Sequence, residues 1–502
     1  MANESQRILV IEGLSWLSGI SAHSSIAVGG LFSKATNFDP NEKLGIWVTN
    51  KTPTRYGNAQ ITEDITSMVV SSSSVASAVY IHAFGDQKKL YRINVDDGTT
   101  VDQSTRIAIS GNNGSIVYKN KTVYASTTQV AAHDYPPSTQ SANEIELLSG
   151  LTNITDPVKR AFHIGPDRNL YMTNGQYIAK ITSVTGTVGN TAQHFSFEAD
   201  VLTRDIDDDG IHLIFGADAR APNTVNTGGL SRCFVAFWNM KSQDFSRIWE
   251  FTDERIYGIA AVEDEVLIFG RNNIYTCSVG SRPKILLPLR GNSSLGSALT
   301  APNSIIKKDN SIVLWGAGTN MRGYGRLHPS LPKTLFTAYT VPAHSGFTTI
   351  NAANGVVDAS GNFKIWAATD GSQLYAFDAV STETSTTVVA GIDFKQPYEF
   401  SFAKVILSKK LSAGQSVDLE IKTDERDNTV LRNTQNTTNS FSHTNFPGKK
   451  SHIFYPFPGT QATSTIAIFE DLSDIQMINK GASVRRVEVW GKKLPPDQDI
   501  YK

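Results

Sequence analysis

One pattern recurs along most of the chain: a turn rich in Asp, Asn, Gly or Ser, a short apolar and aromatic strand, a second polar turn, and another alternating strand. Its clearest copy runs from Glu263 to Cys277, with Val266–Phe269 as one strand, Arg271–Asn273 as the turn and Ile274 onward as the next strand. Asp309–Gly316 leads in the same way to Gly323–Leu327, Asn362–Ala367 to Asp370–Phe377, Asp167–Met172 to Asn174–Ile181, and Asp208–Gly216 to Cys233–Trp238 after an inserted loop. Weaker copies surround Asn120 and the Ser71–Ser74 turn before Ala78–His82. Turns placed near positions 73, 120, 168, 209, 264, 310 and 361 lie 47, 48, 41, 55, 46 and 51 residues apart. Repeats of roughly 40–50 residues, each holding several short strands, are the mark of a β-propeller, whose units bury their apolar faces against two neighbours. Two packed sandwiches or an irregular β-solenoid would also place turns at this spacing. Closing a ring of such units usually takes strands from both ends of the chain, and Ile46–Thr49 is placed to supply an outer strand to the last unit.

The pattern changes near residue 390. Glu399–Leu407, Ser416–Thr423, Ser464–Glu470 and Ser483–Gly491 alternate apolar and polar residues over longer stretches, as strands with one wet and one buried face do. The sequence therefore predicts an all-β fold: an extended N-terminal arm over 1–60, a seven-bladed β-propeller over 61–385, a jelly-roll-like β-sandwich over 386–495, and a short, poorly ordered tail over 496–502. The polar stretch Asn433–Pro447 reads as a loop or lid. Within the arm, Trp16, Leu17, Leu31 and Phe32 sit among Ser, Gly and Asn. Each would lose ~1.5–3 kcal/mol if left in water, so they are expected to pack either on the propeller's own side or on a neighbouring subunit.

Composition narrows the function. Charged residues make up 19% of the chain and the formal net charge is -1, which does not fit a surface built to neutralise nucleic-acid phosphates. Cys233 and Cys277 have no Cys or His near them at zinc-ligand spacing. The apolar run at the N-terminus is broken by Glu12 before it reaches the length of a secretory signal core, and no run of eighteen apolar residues exists that could span a membrane.

No Gly-x-Ser-x-Gly elbow, His-Glu-x-x-His pair or P-loop is present, and the carboxylates at Asp207, Asp208, Glu263 and Glu265 fall in turns, where solvation is the ordinary outcome. His82, His163 and His212 lie in strand-like runs and read as structural. The chain is thus expected not to be an enzyme and to need no cofactor. One motif stands apart. Asp205, Asp207 and Asp209, followed by Gly210, place alternate carboxylates ahead of a glycine turn, an arrangement able to wrap calcium. It is incomplete, with Gly216 where an EF-hand needs Glu and Leu213 where a propeller calcium loop needs Asp. A solvated hairpin turn is the other reading.

The order of parts resembles the virion structural proteins of tailed bacteriophages. The resemblance is carried by Gly29–Leu31 and Asn37–Pro40 in the arm, and by Gly391–Phe394, the strand from Phe402, Ala413–Ile421 and Val484–Trp490 in the C-terminal segment. It implies a non-enzymatic tail or neck component of a virion, assembled in the host cytoplasm. Its partners would be other virion proteins, within a symmetric oligomer, or a host-surface glycan. The competing expectation is a carbohydrate-holding propeller, either lectin-like and receptor-binding or a glycoside hydrolase.

Overall fold

The computed structural model describes residues 5–12, 34–36, 46–47, 54–56, 60–72, 78–87, 89–98, 101–104, 114–136, 144–152, 160–198, 201–219, 232–242, 244–252, 254–262, 265–288, 302–308, 312–317, 323–327, 329–330, 335–336, 350–369, 371–377, 386–393, 398–423, 428–429, 431–432, 438–456, 468–469 and 472–493. Among these the chain is all-β apart from one 3-10 turn, Pro302–Ser304, and no helix is long and apolar enough to cross a membrane.

Three strands come first: β1 (Gln6–Glu12), β2 (Lys34–Thr36) and β3 (Thr54–Tyr56). Antiparallel sheets then follow in chain order. The first holds β4 (Ile65–Ser72), β5 (Val79–Gly85), β6 (Leu90–Asn94) and β7 (Val101–Ser104); the second β8 (Gly114–Tyr118), β9 (Lys121–Ala125), β10 (Val130–Asp134) and β11 (Ile145–Leu148). The third holds β12 (Phe162–Ile164), β13 (Leu170–Asn174), β14 (Tyr177–Ile181) and β15 (Thr191–Ser196); the fourth β16 (Val201–Asp208), β17 (Leu213–Ala219), β18 (Arg232–Trp238) and β19 (Arg247–Thr252). The fifth holds β20 (Ile256–Val262), β21 (Glu265–Gly270), β22 (Asn273–Cys277) and β23 (Lys284–Pro288); the sixth β24 (Ile305–Lys308), β25 (Ile312–Ala317) and β26 (Gly323–Leu327). After the hairpin β27 (Pro329–Ser330) and β28 (Leu335–Phe336), the seventh holds β29 (Ile350–Val357), β30 (Phe363–Thr369) and β31 (Gln373–Phe377), with β3 added at its outer edge.

The first strands of these sheets touch in a closed succession: β4 against β8, β8 against β12, β12 against β16, β16 against β20, β20 against β24, β24 against β29, and β29 back against β4. The arrangement is that of a β-propeller-like protein. Apolar layers fill the spaces between sheets. Ile81, Tyr91 and Ile93 of the first meet Trp366 and Ala368 of the seventh, and Leu170, Met172 and Ile181 of the third meet Val123 and Leu147 of the second.

The remaining strands, β32 (Thr386–Asp393), β33 (Tyr398–Leu407), β34 (Ser416–Thr423), β35 (Asn428–Thr429), β36 (Leu431–Arg432), β37 (Ser440–Ser442), β38 (Ser451–Pro456), β39 (Ile468–Phe469), β40 (Leu472–Lys480) and β41 (Val484–Lys493), form two six-stranded sheets together with β1 and β2. One runs β1-β41-β33-β38-β36 with β39 on β33; the other runs β2-β32-β40-β34-β35 with β37 on β34. Both contribute to one apolar cluster, which includes Phe400, Val405, Val417, Ile421, Phe454 and Val487. The stretch expected as a lid contains β37, whose Phe441 is buried in this cluster.

The N-terminal segment departs most from expectation. Its described strands are edge strands of three sheets, not an irregular arm. β1 pairs with β41, β2 with β32 and β3 with β31. The strand that completes the seventh sheet is therefore Thr54–Tyr56 and not Ile46–Thr49. Trp47, 1% exposed, instead bridges Val484, with Trp47 N donating to Val484 O at 2.7 Å and Val484 N donating to Trp47 O at 3.0 Å. Trp16, Leu17, Leu31 and Phe32 lie outside the described residues, as does the tail.

A second device recurs at the sheet starts. Glu63 and Glu254 each stand two residues ahead of a first strand and cap a turn between second and third strands. Glu63 accepts from Gln87 N at 3.1 Å and Lys89 N at 2.9 Å, and Glu254 accepts from Asn272 N at 2.8 Å and Tyr275 OH at 2.9 Å. Gly85 and Gly270 face these carboxylates, and a Cβ at either position would collide with them.

Two interior histidines make the fold acid-sensitive. His82 is 2% exposed with Nε2 2.6 Å from Ser71 Oγ; burial, and then the charge of Arg92, push it down to about 4. His452 lies among the rings of Phe441, Phe446 and Phe454, with centroids 5.1, 4.1 and 5.1 Å away, and burial pushes it down to about 4. Below pH 6.5 the unfolded chain binds protons that the folded chain refuses, so stability is full above that pH and falls as pH drops towards 4. The loss expected is on the order of 2–3 kcal/mol per histidine. Urea midpoints measured between pH 7 and 4.5 should fall steeply, and less steeply for His452→Phe.

Candidate functional site

The first strands surround an axis, and polar side chains concentrate along it. In β16 a bulge between Thr203 and Asp205 resets the alternation, so that Asp205 and Asp207 both face β20. Their carboxylates take two backbone donors from that strand: Ile259 N donates to Asp205 at 2.8 Å and Ala261 N to Asp207 at 2.7 Å. Alternate acids of one strand thus satisfy alternate amides of its neighbour, in parallel alignment. Gly258 permits the approach, since a Cβ there would lie 2.5 Å from Ile305 Cδ1 and 3.3 Å from Asp205 Oδ2. Burial raises Asp205 to about 8, against the lowering effect of its two backbone donors.

Asp207 is also the hub of a cluster. Lys307 of β24 reaches across the face of β20 to put Nζ 2.7 and 2.9 Å from the two Asp207 oxygens. His163 of β12 comes from the other side, with Nδ1 3.4 Å from Asp207 Oδ1 and Nε2 in a short contact with Asp208 Oδ2. Burial alone would raise Asp208, but the hydrogen bond and charge of His163 hold it below the ordinary carboxylate range. Four consecutive sheets, the third to the sixth, are tied at the axis by this clasp.

The other end of the axis is crossed by the Pro302–Ser304 turn, which touches β4, β20 and β29. Ser304 is buried, Asn303 Nδ2 donates to Thr66 O at 3.0 Å, and Asn354 Nδ2 donates to Met68 O at 3.1 Å.

The calcium reading of Asp205, Asp207 and Asp209 does not survive this geometry. Asp205 and Asp207 are turned towards β20, while Asp209 sits past the strand end and caps its own turn, accepting from Ile211 N at 2.9 Å and His212 N at 2.6 Å and meeting His212 Nδ1 at 3.0 Å. The described group that does converge is His163, Asp207 and Asp208, with one ligand atom from each within 4.8 Å of the others. These three could present ligands to a single ion, but the Lys307 ammonium already lies against Asp207 as its cation. His82 and His212 are hydrogen-bonded to Ser71 and Asp209 respectively.

Removing the hub should be costly. Asp207→Asn is expected to lose about 2–4 kcal/mol, because it leaves Lys307 and the β20 amide facing a weaker acceptor. Lys307→Met should cost a similar amount, and the double variant less than the sum. Urea unfolding of all four proteins measures the coupling.

No protein-family model matches the chain, and no curated protein matches it. Among solved structures it is similar to the computationally designed Ika8 protein, at 9% identity over 62% of this chain and 96% of that one, with a TM-score of 0.40. It is also similar to a chain of a mitotic checkpoint complex, at 13% identity over 65% and 95% with a TM-score of 0.41. A third is the Neurospora crassa Pan2 WD40 domain, at 8% identity over 62% and 88% with a TM-score of 0.40.

Proposed function

We propose that the chain is a non-enzymatic structural protein, a seven-bladed β-propeller closed by β3 and followed by a C-terminal β-sandwich, acting as a rigid scaffold in a larger particle. The observation that carries this reading is the axis. Where a propeller enzyme needs a cleft with free acid and base, Asp205, Asp207, Asp208, His163 and Lys307 are engaged with one another and with backbone amides, and the opposite end is crossed by Pro302–Ser304. The N-terminal strands tie the start of the chain to the seventh sheet and to both C-terminal sheets. The sequence resemblance points to a tailed-phage virion as the particle, with tail or neck as the place and other virion proteins as partners.

A second reading, glycan binding, has one feature in its favour. Tyr455, Phe402 and Trp490 form a row across the neighbouring strands β38, β33 and β41, with Tyr455 exposed, Phe402 stacked on Trp490 at 5.4 Å and Tyr455 6.3 Å from Phe402. Their rings lie against one another more than towards solvent, which limits the stacking face they offer a sugar.

The test has two arms. Gold-labelled antibody against the chain should decorate the tail or neck of virions purified from a culture that expresses it, and the recombinant protein should turn over no member of a glycoside panel. Turnover of a sugar by the isolated chain would overturn the scaffold reading.

A further inference from the structure

Three connections meet at one end of the two C-terminal sheets: residues 408–415 between β33 and β34, 443–450 between β37 and β38, and 481–483 between β40 and β41. Hydrogen bonds lace them into one surface. Leu407 N donates to Lys450 O at 2.8 Å, Ser408 N to Ser483 O at 2.8 Å, His443 N to Gln415 O at 3.0 Å, and Gln415 Nε2 to Gly481 O at 2.6 Å. The three connections contain no Asp or Glu. They carry Lys409, Lys410, Lys449 and Lys450, all exposed, and Lys480 and Arg485 stand exposed in the strands on either side of the third. Lys480 is held by Asp418, with Nζ 3.0 Å from Oδ2. The other five cations form no ion pair among the described residues. Glu488, the acid of β41, meets Arg486 at 3.0 Å and Arg7 at 3.8 Å, and Glu12 of β1 stands opposite Arg486.

Cations gathered without acids repel one another, and a polyanion relieves that repulsion. Which polyanion follows from what accompanies them. Four of the five are lysine, a compact point charge suited to phosphate, where a carboxylate partner would select the planar fork of arginine. The connections expose no large apolar or aromatic side chain: Leu411 is 4% exposed and Phe446 packs against the core. Without an apolar anchor, a polybasic patch offers a membrane only one of the two signals that stable anchoring takes. A single strand of nucleic acid would lack the aromatic platforms on which its bases stack. The backbone of a duplex needs cations alone. The formal net charge of -1 concealed this end, because it sums the lysines here with acids elsewhere.

We propose that this end of the C-terminal sheets binds the phosphate backbone of double-stranded nucleic acid without reading its sequence. Lys409, Lys410, Lys449, Lys450 and Arg485 supply the contacts. Neutralising roughly five phosphates gives log K a slope of about -4.5 against log salt, so affinity falls about 500-fold between 50 and 200 mM salt.

Fluorescence anisotropy of a labelled DNA duplex, titrated with the full chain at a series of salt concentrations, tests it. The unaltered protein should bind two duplexes of unrelated sequence alike, with that slope. The variant carrying Lys409→Gln, Lys410→Gln, Lys449→Gln and Lys450→Gln should bind about a hundredfold more weakly or worse at the lowest salt, with a slope near about -1 and with circular dichroism and melting temperature unchanged. Lys493→Gln, at the other end of β41, should change neither affinity nor slope. No binding at the lowest salt, binding indifferent to the quadruple variant, or a single strand of the same sequence held more tightly than the duplex overturns duplex binding by this end. Retention on phosphatidylserine vesicles with no binding to the duplex overturns it too, and assigns the patch to lipid. The scaffold reading asks nothing of this end, so virion labelling and duplex binding succeed or fail separately.

Discussion

Arg160→Met is expected to lower the stability of the chain by about 3–5 kcal/mol, the largest effect predicted for any single side chain. Arg160 is fully buried between the second and third sheets, and its donors reach Ser126 O at 2.9 Å, Thr127 O at 2.6 Å, Thr152 O at 2.8 Å, Thr173 O at 3.5 Å and Asn174 Oδ1 at 3.0 Å. Burial pushes the guanidinium down to about 10, so it remains charged at neutral pH. Methionine would occupy much of the volume but withdraw the donors from the Ser126, Thr127 and Thr152 carbonyls, while Asn174 Oδ1 would keep only Thr152 N, at 3.0 Å. Lysine would keep the charge with a single point of donation in place of the planar fork, and Arg160→Lys should recover only part of the loss. Urea midpoints of the two variants give the comparison, and a loss under about 1 kcal/mol for Arg160→Met would mean that this side chain does not hold the second and third sheets together.

A chain lacking residues 1–60 should fail to give a soluble, cooperative fold. Three sheets would lose an edge strand at once, exposing unpaired amides and carbonyls on β41, β32 and β31. Ile11 and Trp47 would leave the core, with Ile8, Leu9 and Tyr56 packed beside it. At ~1.5–3 kcal/mol for each fully buried large side chain, that loss approaches the whole net stability of an ordinary domain, about 5–15 kcal/mol. Expression of the truncated chain with assay of the soluble fraction is the measurement. A soluble product with a sharp unfolding transition would mean that the N-terminal strands decorate a fold that stands without them.

What the sequence showed and what it hid follow from the range of the interactions. The turns read near 73, 120, 168, 209, 264, 310 and 361 each fall between the first and second strand of a sheet, because local chemistry marks them. Asp167, Asp209 and Asp358 accept from backbone amides two residues on, and Gly210 and Gly361 take positive φ. The long strands β33, β34 and β41 were equally legible from their period-two alternation. β40 was not, for it interleaves Asp474, Gln476 and the buried Asn479 with Ile475 and Met477, and Asn479 is satisfied by Trp47 O and Ala482 O, partners no local pattern announces.

The N-terminal pairings join residues hundreds of positions apart and leave no periodic trace. The site divides in the same way. Asp205 and Asp207 stood out by spacing, but spacing alone does not distinguish carboxylates converging on a cation from carboxylates facing the amides of the next strand. Lys307, in the run Ile305–Lys308, carried no signal, and His163 read only as structural.

Ring closure by β3 is the claim on which the rest depends, and one cross-link addresses it. Thr54 and Ala376 are paired across the edge of the seventh sheet, at the ~4.5–5.5 Å Cα separation of antiparallel neighbours, within disulfide reach. The variant carrying Thr54→Cys and Ala376→Cys, oxidised and mapped by peptide mass spectrometry, should show a link within one chain and unfold at higher urea than its reduced form. Free thiols after oxidation, or a link found only between chains, would contradict a propeller closed by its own N-terminal strand.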